Sequence, residues 1–275
     1  MADTRPVLFT LDVEDHLGNY ASDGRYIANT LRVIEKLSEL RIRGTLFFVG
    51  KAALQAPQLV KAAISAGHEI GCHSWQHRTL DRETPETFRA ETAKAKAILE
   101  DMSGRPVIGY RAPVFSLVPS TTWAIEIIRE LGFAYSSSVM PAFNPLHCFP
   151  GAPRTPFLWP NGLVELPCPV GSIGPINLPY LGGIYFRYLP LALSQALLRV
   201  ETNPCPWTYC HPYDFDTDEP FTRMPNTGLA TNILIWLRRR GALKKFLALM
   251  GDVSKTKPLA EWVESQGALP AFELS

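Results

Sequence analysis

Short apolar runs alternating with helix-periodic segments constrain this 275-residue chain more than any other feature. Val7-Leu8-Phe9-Thr10-Leu11 has strand length and closes on Asp12-Val13-Glu14-Asp15. In residues 26–40, Ile27, Leu31, Ile34, Leu37 and Leu40 recur every three or four positions, which is the period of a helix with one buried face. Gly44 then restarts the chain in a second strand-like run, 45–49. The alternation continues with a helix over 57–66, a strand over 69–72, and a helix over 84–102 that has a Thr N-cap and Pro in its first turn. A strand-like 106–110 and a helix over 119–131 follow. Recurrent βα units require a parallel sheet with helices outside it. Polar groups gather where strands end: Asp12 and Glu14, His73 and His77, Arg111, residues 136–138, and His211. A barrel brings all its strand C-termini to one mouth, so the expected class is an α/β barrel.

At 46% hydrophobic residues the chain can bury one large core, and a single domain over 1–275 is expected. Prolines and glycines crowd 141–190, which predicts a long irregular insertion with one short strand near 163–166. A helix over 191–201 and a strand-like 207–210 precede His211, and the part from about 226 to 275 reads as helical. Arg238-Arg239-Arg240 beside Gly241 reads as a solvated helix end. Lys+Arg of 27 against Asp+Glu of 26 gives no overall field for nucleic acid or an anionic membrane. Five cysteines without CxxC spacing argue against a disulfide framework and a structural zinc knot, and favour a reducing, cytoplasmic setting. No secretion signal is visible at the N-terminus, and the apolar runs, 189–198 and 233–237 among them, fall short of the ~20 residues that span a bilayer. Oligomeric state is not legible.

Gly71-Cys72-His73-Ser74-Trp75-Gln76-His77 places two histidines four apart, so both imidazoles can reach one cation if the segment turns helically. A carboxylate would complete a set of two histidines and one acid with positions left open. Asp12 and Glu14 alternate onto one side of a strand, so one can ligate the metal while the other takes a proton from the attacking water. Asp15, which opens the following loop, competes for ligation.

Thr10-Leu11-Asp12-Val13-Glu14-Asp15, His73-Ser74-Trp75-Gln76-His77, Arg111-Ala112-Pro113, Tyr135-Ser136-Ser137-Ser138 and Tyr209-Cys210-His211-Pro212 resemble, in order and spacing, the five motifs of the polysaccharide deacetylases, carbohydrate esterase family 4. With Gly182-Gly183-Ile184-Tyr185-Phe186-Arg187 they are similar to a subgroup from bacterial surface-polysaccharide biosynthesis. The resemblance implies a distorted (β/α) barrel of about seven parallel strands, and metal-dependent hydrolysis of an N-acetyl group on an amino sugar. The partner implied is an amino-sugar-containing small molecule or polysaccharide or lipopolysaccharide precursor, and the cofactor a divalent metal, zinc first, with cobalt, nickel or manganese as alternatives. Asp12 would be the general base, His73 and His77 metal ligands, and His211 the general acid. Arg111 would hold Asp12, and Ser74 would orient the ligand loop.

Two positions depart from the family pattern. Val13 stands where a second, metal-ligating aspartate is usual, so ligation passes to Glu14, by strand alternation, or to Asp15. Ser136 stands where an aspartate normally supports the catalytic histidine, which predicts a smaller rise in the His211 pKa and weaker turnover. Tyr185 and Arg187, with Pro113, are expected to contact substrate, whereas His16, His68 and His147 are expected to have no catalytic role. Hydrolysis of another C–N bond, such as a formamide or cyclic amide, and a metal-containing sugar-binding protein without turnover are the alternative functions.

Overall fold

The N-terminal apolar run becomes the wall of a barrel because its residues are buried on both faces, as parallel strands covered by helices must be. β1 (Thr10–Val13) pairs in parallel with β2 (Thr45–Phe48), and β2 with β3 (Glu69–Cys72). Beyond them β4 (Gly109–Tyr110) and β5 (Tyr135–Ser136) continue the parallel sheet. β6 (Phe157–Leu158) and β7 (Val164–Glu165) complete it; β7 pairs parallel to β5, and β6 antiparallel to β7 at the edge, in the order β1-β2-β3-β4-β5-β7-β6. On the free side of β1 the segment 206–210 runs parallel, with bridges Leu8 to Trp207 and Leu11 to Cys210. This computed structural model describes residues 6–21, 24–224, 228–250 and 255–273. The result is the expected α/β distorted barrel.

Helices α1 (Arg25–Glu39), α2 (Gly50–Gln55), α3 (Pro57–Ser65), α4 (Pro85–Ser103) and α5 (Trp123–Glu130) follow the first four strands and cover the outside. α4 begins as its sequence predicts, with Thr84 accepting from the Thr87 N–H and Pro85 at the first helical position, and ends on Gly104 in the left-handed conformation. The expected insertion is more ordered than its proline and glycine content implies. It holds β6, β7, the antiparallel hairpin β8 (Val170–Ile173) and β9 (Ile176–Pro179), and α6 (Gly183–Tyr188). β7 is the strand expected near 163–166, whereas β6, β8 and β9 lie among prolines and glycines that mask their short runs. Gly182 lets α6 start against the 206–210 segment, because a Cβ there would come within 2.0 Å of the Tyr209 carbonyl oxygen. α7 (Leu191–Val200), α8 (Leu229–Trp236), α9 (Ala242–Met250) and α10 (Leu259–Glu264) complete the chain, and the expected helical start at Asn226 lies outside the described residues. Among the described residues no helix is long and apolar enough to cross a membrane.

Candidate active site

Asp12 and Glu14 are two residues apart on β1 and its extension, so both side chains enter the barrel mouth, where each is buried. Arg111, directly after β4, is wholly buried beside them. Its Nη1 donates to Asp12 Oδ1 at 2.6 Å and to Thr10 Oγ1 at 2.8 Å, and its Nε donates to Ser137 Oγ at 2.9 Å. The guanidinium lies between the rings of Phe47 and Trp207, at 4.1 and 4.3 Å from their centroids. Burial of the charge is tolerated because a carboxylate, two hydroxyls and two ring faces replace its water. Arg111 thus occupies one oxygen of Asp12, and Oδ2 faces His73 Nε2 at 4.0 Å and His211 Nε2 at 3.9 Å.

The histidine pair is brought together by a turn, not by the helical turn expected from its spacing. Ser74 and His77 both have positive φ, 66° and 59°. Non-glycine residues hold that conformation only when their surroundings enforce it. Here the first backbone N–H groups of α2, at Gly50 and Lys51, donate to the carbonyls of Ser74 and Trp75, and Ser74 Oγ accepts from the His77 N–H at 2.9 Å. The two imidazole centroids end 5.0 Å apart. His73 Nδ1 lies 2.9 Å from the Arg111 carbonyl oxygen, which can only accept, so the proton is on Nδ1 and the Nε2 lone pair faces the site.

Glu14 Oε2 meets both imidazoles, at 2.5 Å from His77 Nε2 and 3.4 Å from His73 Nε2. Burial alone would raise its carboxyl, but the charge of His77 beside it outweighs that and holds it well below the usual carboxylate range. Glu14, His73 and His77 form the one group of three such donors among the described residues that could grasp a cation. Asp15 is elsewhere: its Oδ1 accepts from the Leu17 N–H at 2.8 Å and shapes the loop.

His211 enters from the 206–210 segment, which the Asp12 N–H to Cys210 carbonyl bond of 2.9 Å locks beside β1. Pro212 starts a short 3-10 turn, Pro212–Phe215, which folds the side chain of Asp214 back onto His211. Asp214 Oδ2 accepts from both the His211 N–H and Nδ1–H, each at 2.9 Å, and its Oδ1 lies 3.1 Å from Arg187 Nε. Burial would lower the His211 pKa, but the Asp214 hydrogen bond, followed by the Glu14, Asp214 and Asp12 charges, raises it to about 9. The small rise expected from Ser136 is therefore corrected. The supporting acid is Asp214, and Ser136 instead donates to Ser138 Oγ at 2.8 Å, which accepts from the Ala112 N–H.

Two of the three expected substrate contacts are also corrected. Arg187 is buried behind Asp214, with Nη1 donating to the Leu237 carbonyl at 2.8 Å, and so backs the acid instead of meeting substrate. Pro113 is buried, and the wall of the cavity at that point is Ala112, Val114 and Phe115. Tyr185 does line the cavity, which measures about 570 Å3 and has further walls of Tyr20, Leu146, Tyr213 and Ile235 over a floor of Asp12, Glu14, His73, His77 and His211. His16 lines the same cavity, with its Nε2 3.2 Å from Glu219 Oε1 and its ring packed on Tyr213 and Trp236. The expected solvated helix end at 238–240 is likewise altered at Arg239, which is buried 2.6 Å from Glu219 Oε2.

Sequence reasoning missed Asp214 although the His-Pro-x-Asp order carries its signal, since proline after a capping residue starts a turn whose third position returns to the cap. It also missed Glu165, at the end of β7, whose Oε1 accepts from the N–H groups of Ser138 and Val139 at 2.6 and 3.0 Å and so bends the strand end that carries Ser137. Nothing local in the sequence links residue 165 to 138.

Comparison with known proteins gives matches to both halves of the chain. Residues 7–136 match the polysaccharide deacetylase family, and residues 137–260 match a domain of unknown function, DUF3473. A peptidoglycan-N-acetylglucosamine deacetylase of Bacillus cereus is 28% identical over 105 residues, 38% of this chain and 38% of that protein. A protein of Shewanella sediminis assigned as a 4-deoxy-4-formamido-L-arabinose-phosphoundecaprenol deformylase is 32% identical over 111 residues, 36% of this chain and 33% of that protein. The chain thus spans well under half the length of these curated relatives. In fold it is similar to a Mycobacterium smegmatis protein assigned as a polysaccharide deacetylase, with a TM-score of 0.64 and 22% identity over 100% of this chain and 96% of that one. With its motifs meeting at one barrel mouth, the chain is similar to the polysaccharide deacetylase family over residues 7–136.

Proposed function

We propose that the chain is a metal-dependent N-deacetylase acting on an amino sugar, within a surface-polysaccharide or lipopolysaccharide precursor in the cytoplasm. The observation that supports this reading is the presence, in one cavity, of a three-donor set beside an Arg-held carboxylate and an Asp-held imidazole. The donors fit a divalent cation: Glu14 Oε2 is a buried oxygen with no geometrically sound hydrogen bond, and the lone pair of His73 Nε2 is turned toward it. Glu14, His73 and His77 would hold the ion, and nitrogen and oxygen donors of this kind suit zinc, with cobalt, nickel or manganese as alternatives. When bound, the ion supplies Lewis acidity toward the amide carbonyl.

The remaining chemistry belongs to side chains. Asp12 Oδ2 takes a proton from the attacking water, while Arg111 fixes the carboxylate through Oδ1. Water adds to the acyl carbon, the C–N bond breaks, and His211 Nε2 gives its proton to the leaving amine. Asp214 keeps the His211 proton donor charged and oriented, and Arg187 keeps Asp214 ionised. The Asp214 carboxylate on His211 answers one of the two departures that motivate a binding protein without turnover, and so favours hydrolysis over that alternative. A formamido sugar remains a second substrate reading, favoured by the likeness to the Shewanella deformylase. The test is to supply zinc-loaded protein with N-acetylated and N-formylated amino sugars and to quantify acetate and formate. Acetate release supports the main reading, formate alone the second, and neither product overturns both.

A further inference from the structure

Helix α8 is built inside out. Its buried positions are Asn232 and Ile235, whereas Leu229, Ile233 and Leu234 are 55, 42 and 44% exposed, and Leu237, just past its end, is 52% exposed. At 100° per residue, the sequence Leu229, Ile233, Ala230, Leu234, Thr231 sweeps one continuous outward arc. Asn232 secures the opposite side, its Oδ1 accepting from the Met224 N–H at 2.6 Å. Phe221, 52% exposed, extends the apolar surface by an edge contact with Trp236. An apolar face on the outside of a short helix has no role in the core it belongs to, and contiguous surfaces of this kind mark contact with another apolar phase.

Charge selects the phase. Every charged residue in 221–250 is basic: Arg223, Arg238, Arg239, Arg240, Lys244 and Lys245. Arg239 is neutralised by Glu219, but Arg223 before α8 and Arg238, Arg240 and Lys244 after it are exposed, against one exposed acid, Asp218, just before Phe221. A local excess of positive charge around exposed leucines and isoleucine, in a chain whose net charge is only +1, complements anionic lipid headgroups over acyl chains. The surface also adjoins the cavity. Thr231 and Ile235 line it from α8, and Leu146, 67% exposed, lines it from across the mouth beside Phe143, 81% exposed. Arg187, which backs Asp214, also holds the Leu237 carbonyl at the end of the same helix.

We infer that the outward face of α8, with its flanking arginines, is a docking surface for an anionic phospholipid bilayer, which sets the mouth of the cavity at the headgroup layer. The inference does not depend on which acyl group is hydrolysed. It is tested by flotation of the purified full chain with vesicles of phosphatidylglycerol mixed into phosphatidylcholine, and with phosphatidylcholine alone. The expected results are binding to the anionic vesicles, at least tenfold weaker binding for a Leu234→Ser/Leu237→Ser variant, and several-fold weaker binding for Arg238→Gln/Arg240→Gln. Both variants are at exposed positions, and unchanged thermal melting establishes that they remain folded. Absence of binding by the parent chain overturns the inference, as does equal binding by folded variants. Sedimentation that shows a dimer dissociated by Leu234→Ser/Leu237→Ser also overturns it, since a second copy would then cover the face.

Discussion

Asp214 Oδ2 accepts two hydrogen bonds from His211, one from the backbone and one from Nδ1, because a proline-initiated turn returns its third residue to the cap that precedes the proline. The acid that orients the imidazole therefore comes from its own strand end and not from β5. The Asp214→Asn variant keeps the shape but loses the charge that favours the imidazolium. It should lose about 10²- to 10⁴-fold in kcat. KM should change little, and steady-state kinetics that show unchanged kcat would remove His211 from the proton-transfer role.

Metal retention separates the two candidate acids. Glu14 lies against both imidazoles, whereas Asp15 caps the Leu17 N–H. Glu14→Gln and His77→Ala should each weaken zinc binding by at least about 100-fold, while Asp15→Asn should retain it. Calorimetric titration of the dialysed protein with zinc reads the difference, and comparable losses in Glu14→Gln and Asp15→Asn would reopen the assignment.

Arg111 uses its planar fork, with Nη1 on Asp12 and Thr10 and Nε on Ser137 between two ring faces. Lysine offers one point charge and cannot reproduce this pattern. Arg111→Lys is expected to lose stability, and Arg111→Met, which leaves Asp12 without its buried partner, about 3–5 kcal/mol. Urea unfolding of the variants provides the comparison.

His68 gives a pH signature away from the reaction. It lies before β3, at the opposite end of the barrel from the mouth, and its Nδ1 accepts from the Gly44 N–H at 3.1 Å. Burial pushes its pKa down from 6.5 to about 4. Above pH 6.5 both folded and unfolded chains hold it neutral, so its neutral burial carries no penalty. As pH falls from 6.5 toward 4 only the unfolded chain gains the proton, and about 3 kcal/mol of stability is lost. In His68→Gln this part of the stability profile should flatten, as chemical denaturation at a series of pH values would show.

Much of the site was legible because its groups occupy strand ends that a two-residue and a 3.6-residue period locate. Asp12, Glu14, His73, His77, Arg111 and His211 converge as their positions imply. What sequence could not supply is contact between segments with no shared period. Arg187 meets Asp214 only because α6 starts against the 206–210 segment, and Glu165 meets Ser138 only because β7 pairs with β5. The conformation of the histidine turn is hidden from the sequence for a related reason. Its geometry is imposed by the first N–H groups of α2, which lie in another βα unit.

The most direct measurement is acetate released from an N-acetylated amino-sugar oligomer by the chain after dialysis against a chelator, followed by stepwise return of zinc. The account predicts that release falls to background with the metal removed, rises as zinc is returned, and saturates at stoichiometric metal, with no recovery in His77→Ala. Acetate release that persists undiminished after chelation would contradict it.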